Sequence, residues 1–168
     1  MSEAGRLADH APGAAGPYPV GVASLDDVRR LVELDHGLAT ASTLRANGTV
    51  QATVVNAGVL PHPVTGEQVA AFVARGGTHK LAHLRTRPVV ALLWRAGWAW
   101  VTVEGPAELC GPDDPLKGVD EDGLRGLLRD VYSAAGGVHE DWAEYDRVVA
   151  AERRAAVLVR PDRIYQNP

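Results

Sequence analysis

Two strand-like runs, Leu38 to Leu44 and Thr49 to Asn56, are separated by Arg45-Ala46-Asn47-Gly48. Asn-Gly accepts the positive φ angles of a tight hairpin turn, so this stretch predicts antiparallel neighbours in a sheet built from hairpins. The same logic returns downstream. Val89 to Arg95 is almost wholly apolar, Ala96-Gly97 makes a tight turn, and Trp98 to Leu109 alternates. Between the hairpins, a loop from Gly58 to Gly66 with Pro61 and Pro63 leads into a third strand, Gln68 to Ala74. Gly76-Gly77 ends that strand, and Thr78 is placed to cap a short helix that must stop before Pro88, with Leu81 and Leu84 toward the core.

Helical periodicity fills the rest. Leu25, Val28, Leu31 and Val32 share a face behind Ser24, with Asp27 at the capping-box position, and this helix ends near His36-Gly37. Asp120 opens another helix, with Leu124, Leu127, Leu128, Val131 and Tyr132 on one face to pack against the sheet. A further helix is expected from about Glu140 to Glu152, and a closing strand from Ala155 to Tyr165. The order α-β-β-β-α-β-β-α-α-β, with hairpins at its centre, implies an α+β antiparallel barrel with flanking helices, not a doubly wound parallel sheet.

At 168 residues the chain has the length of one domain. Residues 20–168 carry its pattern, and residues 1–19, rich in Ala, Gly and Pro, read as an arm. No apolar run approaches the roughly 18 residues of a membrane span. One cysteine, Cys110, excludes an intrachain disulfide and a Cys-based metal site, which suits the cytoplasm. The net charge of −4 argues against nucleic-acid binding but hides an uneven distribution. No acidic residue stands between Glu67 and Glu104, a window holding Arg75, Lys80, Arg85, Arg87 and Arg95. Those five leave 12 of the 17 basic residues to face all 21 acidic ones. A solvated edge explains such a basic island as well as a site does.

No Gly-rich phosphate loop, G-x-S-x-G elbow, H-E-x-x-H or Cys pair is present, so catalytic residues are not identified. His79 and His83 are spaced i, i+4, but no carboxylate lies near to complete a metal site, and none is expected. The run Arg75-Gly76-Gly77-Thr78-His79-Lys80 has the make-up of an anion site. A helix start offers free N–H groups, two glycines let a ligand approach, and Lys80, His83 and Arg87 project to one side. Trp98 and Trp100, two apart on an expected strand, would border a flat ring or pack in the core. Trp142 and Tyr145 read as core.

Five stretches together resemble the pyridoxamine 5'-phosphate oxidase-like split β-barrel superfamily, and within it the actinobacterial deazaflavin-dependent oxidoreductases. They are Gly37-Leu-Ala-Thr-Ala-Ser-Thr-Leu-Arg-Ala-Asn-Gly48, Thr78-His-Lys-Leu-Ala-His-Leu-Arg-Thr-Arg-Pro88, Trp98-Ala-Trp-Val-Thr-Val-Glu-Gly105, His139-Glu-Asp-Trp-Ala-Glu-Tyr145 and Glu152-Arg-Arg-Ala-Ala-Val-Leu-Val-Arg-Pro-Asp-Arg-Ile-Tyr165. The resemblance implies a homodimer with two cofactor sites at the subunit interface. It further implies that Gln51, Thr53 and Asn56 lie beside the tricyclic ring, that Lys80 faces the phosphate and acidic tail, and that Trp98 and Trp100 approach from the partner subunit. Relatives often have Arg at the position of Thr78 and Asn at that of His83, which leaves Arg75 or Arg85 as substitute phosphate contacts. The chain ends Arg160-Pro-Asp-Arg-Ile-Tyr-Gln-Asn-Pro168, without the R-x-E-[FHY]-W and R-x-H signature of true pyridoxamine phosphate oxidases, so vitamin B6 oxidation is not expected.

The implied activity is hydride transfer between coenzyme F-420 and a small molecule, with an FMN-dependent oxidoreductase of the same fold as the alternative. A non-catalytic flavin, deazaflavin or haem binder is the third option. His62, His79 and Tyr145 are the candidate proton donors, beside bulk water.

Overall fold

The computed structural model describes residues 23–167; the arm expected at residues 1–19 lies outside them. Helix α1 spans Leu25–Asp35, and the Ser24 backbone N–H donates to Asp27 Oδ2 at 2.8 Å, closing its first turn. Strand β1 (Leu38–Leu44) then turns through Asn47-Gly48 into β2 (Val50–Pro61), with Gly48 at φ +81° and the Thr49 N–H donating to Asn47 Oδ1. After β3 (Gln68–Ala74) come α2 (His79–Thr86), β4 (Val89–Ala96) and β5 (Ala99–Cys110). Helices α3 (Glu121–Ala134) and α4 (Trp142–Ala151) precede β6 (Ala155–Val159) and β7 (Arg163–Gln166).

Six strands close in the order β1-β2-β3-β6-β5-β4, with β4 pairing back to β1, and β7 adds to β5; every pairing is antiparallel. Two strands of 12 residues each make this possible. The first half of β2 pairs with β1 and its second half with β3, while β5 changes partners from β4 and β7 to β6. The expected loop from Gly58 is therefore strand as far as Pro61. Gly58 is needed there because the end of α3 lies on it: a Cβ would come within 2.0 Å of the Ala134 carbonyl oxygen. The expected single strand from Ala155 to Tyr165 is two, broken at Arg160-Pro161-Asp162. There the chain bends over Gly105, and the Asp162 N–H donates to the Glu104 carbonyl.

The barrel is filled by Phe72 and Trp94 among many alanines and valines. A second apolar layer lies outside, where Leu127, Leu128 and Val131 of α3 and Tyr145 and Val149 of α4 cover Val69, Ala71 and Leu158. The ends are closed by different helices. Val28 and Leu31 of α1 reach the core near Ala99 and Val101, and Leu81 and Leu84 of α2 plug the end beside Thr43. The outer face of β1, β4 and the first half of β2 has no helix over it among the described residues, leaving Leu38, Leu44, Val50, Val54, Val89 and Leu93 exposed. No helix of the described residues is long and apolar enough to cross a membrane.

Candidate functional site

Register fixes which polar side chains meet at the α2 end of the barrel. Thr43 on β1 is opposite Gln51 on β2 and Val90 on β4, and Ala41 is opposite Thr53, so Thr43, Gln51 and Thr53 share the inward-leaning face. Thr43 is buried, and its hydroxyl lies 3.1 Å from His83 Nδ1 on α2. One helical turn earlier, the His79 ring stacks on that of His83, with centroids 6.4 Å apart. Lys80 lies on the same part of α2, half-buried, and no carboxylate among the described residues pairs with it.

Two hydroxyls in this region are incomplete. Thr53 Oγ1 and Thr78 Oγ1 are buried and have no hydrogen-bond partner. Thr78 does occupy the N-cap of α2 in extended backbone, but its side chain does not cap the helix as expected. Buried polar atoms without partners are uncommon and costly. Two of them, with an unpaired lysine and a stretch free of acids, fit an anionic group that accepts from all three.

Burial pushes the Lys80 ammonium below the ordinary lysine range. Folding thus disfavours the charged form, so the unfolded chain binds the proton more tightly and stability rises as pH climbs toward the ordinary lysine value. Wild type should gain stability over Lys80→Met as pH rises toward the ordinary lysine value of 10.5 in urea titrations, and a bound anion should abolish that gain.

The other expected site residues are dispersed. Gly77 has φ +72° and open space around it, but Gly76 serves packing: its N–H donates to the Glu152 carbonyl, and a Cβ would meet Arg153 O at 2.7 Å. Arg75 points to Glu152 at 3.8 Å and is well exposed. Arg85 grips Asp114 with two hydrogen bonds of 2.7 Å, so it is not free to replace the missing phosphate contact. Asn56 is on the opposite face of β2 from Thr53, donating to the His36 carbonyl near α1. Trp98 is not on a strand but in the β4–β5 turn, 93% exposed, while Trp100 packs edge-on against Tyr165. The two indoles therefore form no single wall. They also lie at the far end of β4 from α2, about 23 Å away for eight strand residues.

Of the three candidate proton donors, only His79 is on α2. His62 is buried elsewhere with both ring nitrogens taken: Nδ1 accepts from the Val64 and Thr65 N–H groups, and Nε2 faces Glu108 at 3.0 Å. Tyr145 donates to the Leu128 carbonyl in the outer layer, where burial pushes its pKa up to about 12. Sequence reasoning missed Thr43, although a threonine in an inward row with Ala39 and Ala41 was a visible signal. Two concavities, of 380 and 420 Å³, lie away from α2, around His62 and beside Cys110. No group of three or more His, Cys, Asp or Glu among the described residues is placed to hold a metal.

The chain is similar in structure to an F-420 reductase, at 17% identity over 88% of this chain and 98% of that one, with a TM-score of 0.56. It is similar to a pyridoxamine 5'-phosphate oxidase-related, FMN-binding protein of Nostoc punctiforme, at 12% identity over 84% and 79% and a TM-score of 0.55. A protein of unknown function from Agrobacterium tumefaciens matches at 17% identity and a TM-score of 0.54; 89% of this chain is covered, but it spans only 60% of that protein. At these identities the likeness carries the fold. The model of the family described as pyridoxamine 5'-phosphate oxidase matches residues 25–167. Running from the first residue of α1 to the residue after β7, that match makes the chain a member of the pyridoxamine 5'-phosphate oxidase family.

Proposed function

We propose that the protein is an oxidoreductase that holds a flavin-type cofactor by its anionic tail at the α2 end of the barrel, and that the cofactor is coenzyme F-420 serving hydride transfer to or from a small molecule. The observation that carries the reading is Lys80, half-buried and unpaired, beside the orphaned hydroxyls of Thr53 and Thr78. When bound, such a cofactor supplies the redox chemistry, and the chain's own task is to bind, orient and exclude water. That is consistent with a site built from anion contacts rather than from a nucleophile and its base.

In the same reading the complete site takes two copies of the chain. Within one chain α2, which carries Lys80, precedes β4 and Trp98 follows it at the other end, so the two reach one cofactor only if Trp98 comes from a partner subunit. The uncovered apolar face of β1, β2 and β4 supports that assembly, and a free, buried Cys110 suits a reducing cytoplasm. FMN is the second reading, supported by the FMN-binding relative and by the same anion contacts.

Fluorescence titration of the purified protein with F-420 and with FMN tests the choice; tighter binding of FMN would overturn it. Lys80→Ala should weaken the bound cofactor roughly 10- to 100-fold, the range of a charge-assisted hydrogen bond worth about 1.5–3 kcal/mol. Unchanged affinity with an intact circular dichroism spectrum would put the anion site elsewhere.

A further inference from the structure

The cavity beside Cys110 holds 420 Å³, toward the small end of the range of about 300–1,000 Å³ for ligand pockets. Its floor is apolar. Cys110 comes from the end of β5, Leu116 and Val119 from the segment that follows, Leu124 and Leu128 from α3, and Val149 from α4. The wall between β5 and α3 is tied down. Gly111 and Asp114 exchange backbone hydrogen bonds of 2.9 and 3.0 Å, the Asp114 carboxylate accepts two more from Arg85, and Asp113 pairs with Arg153. Pro112 and Pro115 stiffen the same stretch. A cavity whose wall is already ordered demands little further ordering when a ligand enters.

The polar groups around this floor are unequally spent. Asp120 caps α3 by accepting from the Gly123 N–H at 2.8 Å, and both carboxylate oxygens of Asp146 accept from Arg129, whose charge answers its own. The two guanidinium groups in the lining are far less occupied. Arg154 donates through Nε to Glu152 at 2.7 Å, and its terminal N–H groups meet no acceptor among the described residues. Arg125 lies 3.1 Å from Asp122 and 3.9 Å from Glu121 and Asp146, yet makes no hydrogen bond among the described residues. Glu121 and Asp122 are 93% and 86% exposed, and ion pairs with such groups contribute little. An apolar floor beside guanidinium donors that are not yet used is complementary to a molecule with a carboxylate at one end and a hydrocarbon body behind it. We propose that this cavity binds a small carboxylate with a compact apolar body, its carboxylate held by Arg125 and Arg154 and its body covering Leu124, Leu128 and Val149. The site adds a ligand class to the protein and does not depend on which cofactor sits beside Lys80.

The test uses the full chain without added flavin and probes that share one body: 3-phenylpropanoate, 3-phenylpropan-1-ol and 3-phenylpropylamine, titrated by calorimetry at about pH 7. The acid should bind with a Kd of about 0.1 mM, the scale set by its few heavy atoms, the alcohol roughly 10-fold more weakly and the amine not measurably. Arg125→Met, at an exposed position of α3, should lose about 10-fold in affinity for the acid and leave the alcohol unchanged, and Arg154→Met should do the same. Ala150→Trp fills the cavity from an exposed position of α4 and should abolish uptake of acid and alcohol alike while the circular dichroism spectrum stays intact. An alcohol that binds as tightly as the acid would show apolar filling without charge selection, and an amine that binds more tightly would give the cavity to its carboxylates; either result overturns the proposal. Acid binding at wild-type strength in Ala150→Trp would place the probe elsewhere on the chain and overturn it as well. So would acid affinity that falls as protein concentration rises, which would assign the cavity to a second copy of the chain, or a wild-type Kd above about 5 mM.

Discussion

Trp94→Ala should lower the free energy of unfolding by about 3–5 kcal/mol, the range for removing a large buried aromatic. Trp94 is 1% exposed, and its indole N–H donates to the Ala57 carbonyl at 2.9 Å across the barrel interior. What makes the site unforgiving is the size of its neighbours. Ala39, Ala41, Ala57, Ala70, Ala74 and Ala155 line the same interior, and Phe72 is its other aromatic. Methyl groups on hydrogen-bonded strands cannot swing into a void left by an indole, so the cavity stays open and costs its full volume. Trp94→Phe keeps much of the volume but leaves the hole of the lost ring and removes the hydrogen bond, and a loss of about 1–2 kcal/mol is expected. Urea denaturation followed by circular dichroism measures both. A Trp94→Ala loss below about 1 kcal/mol would mean that the barrel repacks, and that the alternation of two aromatics with small residues does not set its diameter.

That packing shows why some of the structure was legible in the sequence and some was not. Hairpin turns and helix starts are local: Asn47-Gly48 carries its own positive φ, and Ser24 reaches Asp27 three residues on, so both were readable. Strand continuation is not local. Gly58 and Pro61 carry loop signals, and only pairing with Val69 and Ala71, with α3 lying over Gly58, keeps them in β2. Pro161 split the final strand because β6 and β7 serve different stretches of β5, a division invisible without the register. In the candidate site, Lys80 was legible as a cation in an acid-free window. The fates of its neighbours were decided by partners far along the chain: Asp114 removes Arg85, Thr43 fixes His83, and Glu152 draws Arg75. Asn56 was separated from Thr53 by strand parity alone, since the two are an odd number of residues apart.

Val54→Lys should break self-association while leaving the single chain folded. Val54 is 69% exposed and begins a row in which Thr40, Leu93, Thr102 and Tyr165 follow across four strands, and Leu44, Val50 and Val89 extend the apolar surface toward α2. A surface of that kind, long and without a covering helix, is where a second copy would bury area. An ammonium placed in it has no carboxylate among its cross-strand neighbours, Thr40 and Leu93. In the isolated chain, however, Lys at position 54 stays in water, so its effect on unfolding should remain within about 0.5 kcal/mol. Sedimentation velocity should show wild type as a dimer at micromolar concentration and the variant as a monomer, a shift in the dimer dissociation constant of at least 100-fold, or about 3 kcal/mol. Cofactor affinity should fall with it, although Val54 points away from Thr53 and Lys80, because the tail site at α2 and the aromatic hairpin carrying Trp98 belong to different copies in the proposed site. A monomeric wild type that binds cofactor at full strength would instead require all contacts to come from the α2 end of one chain, and Trp98 would then have no part in the site.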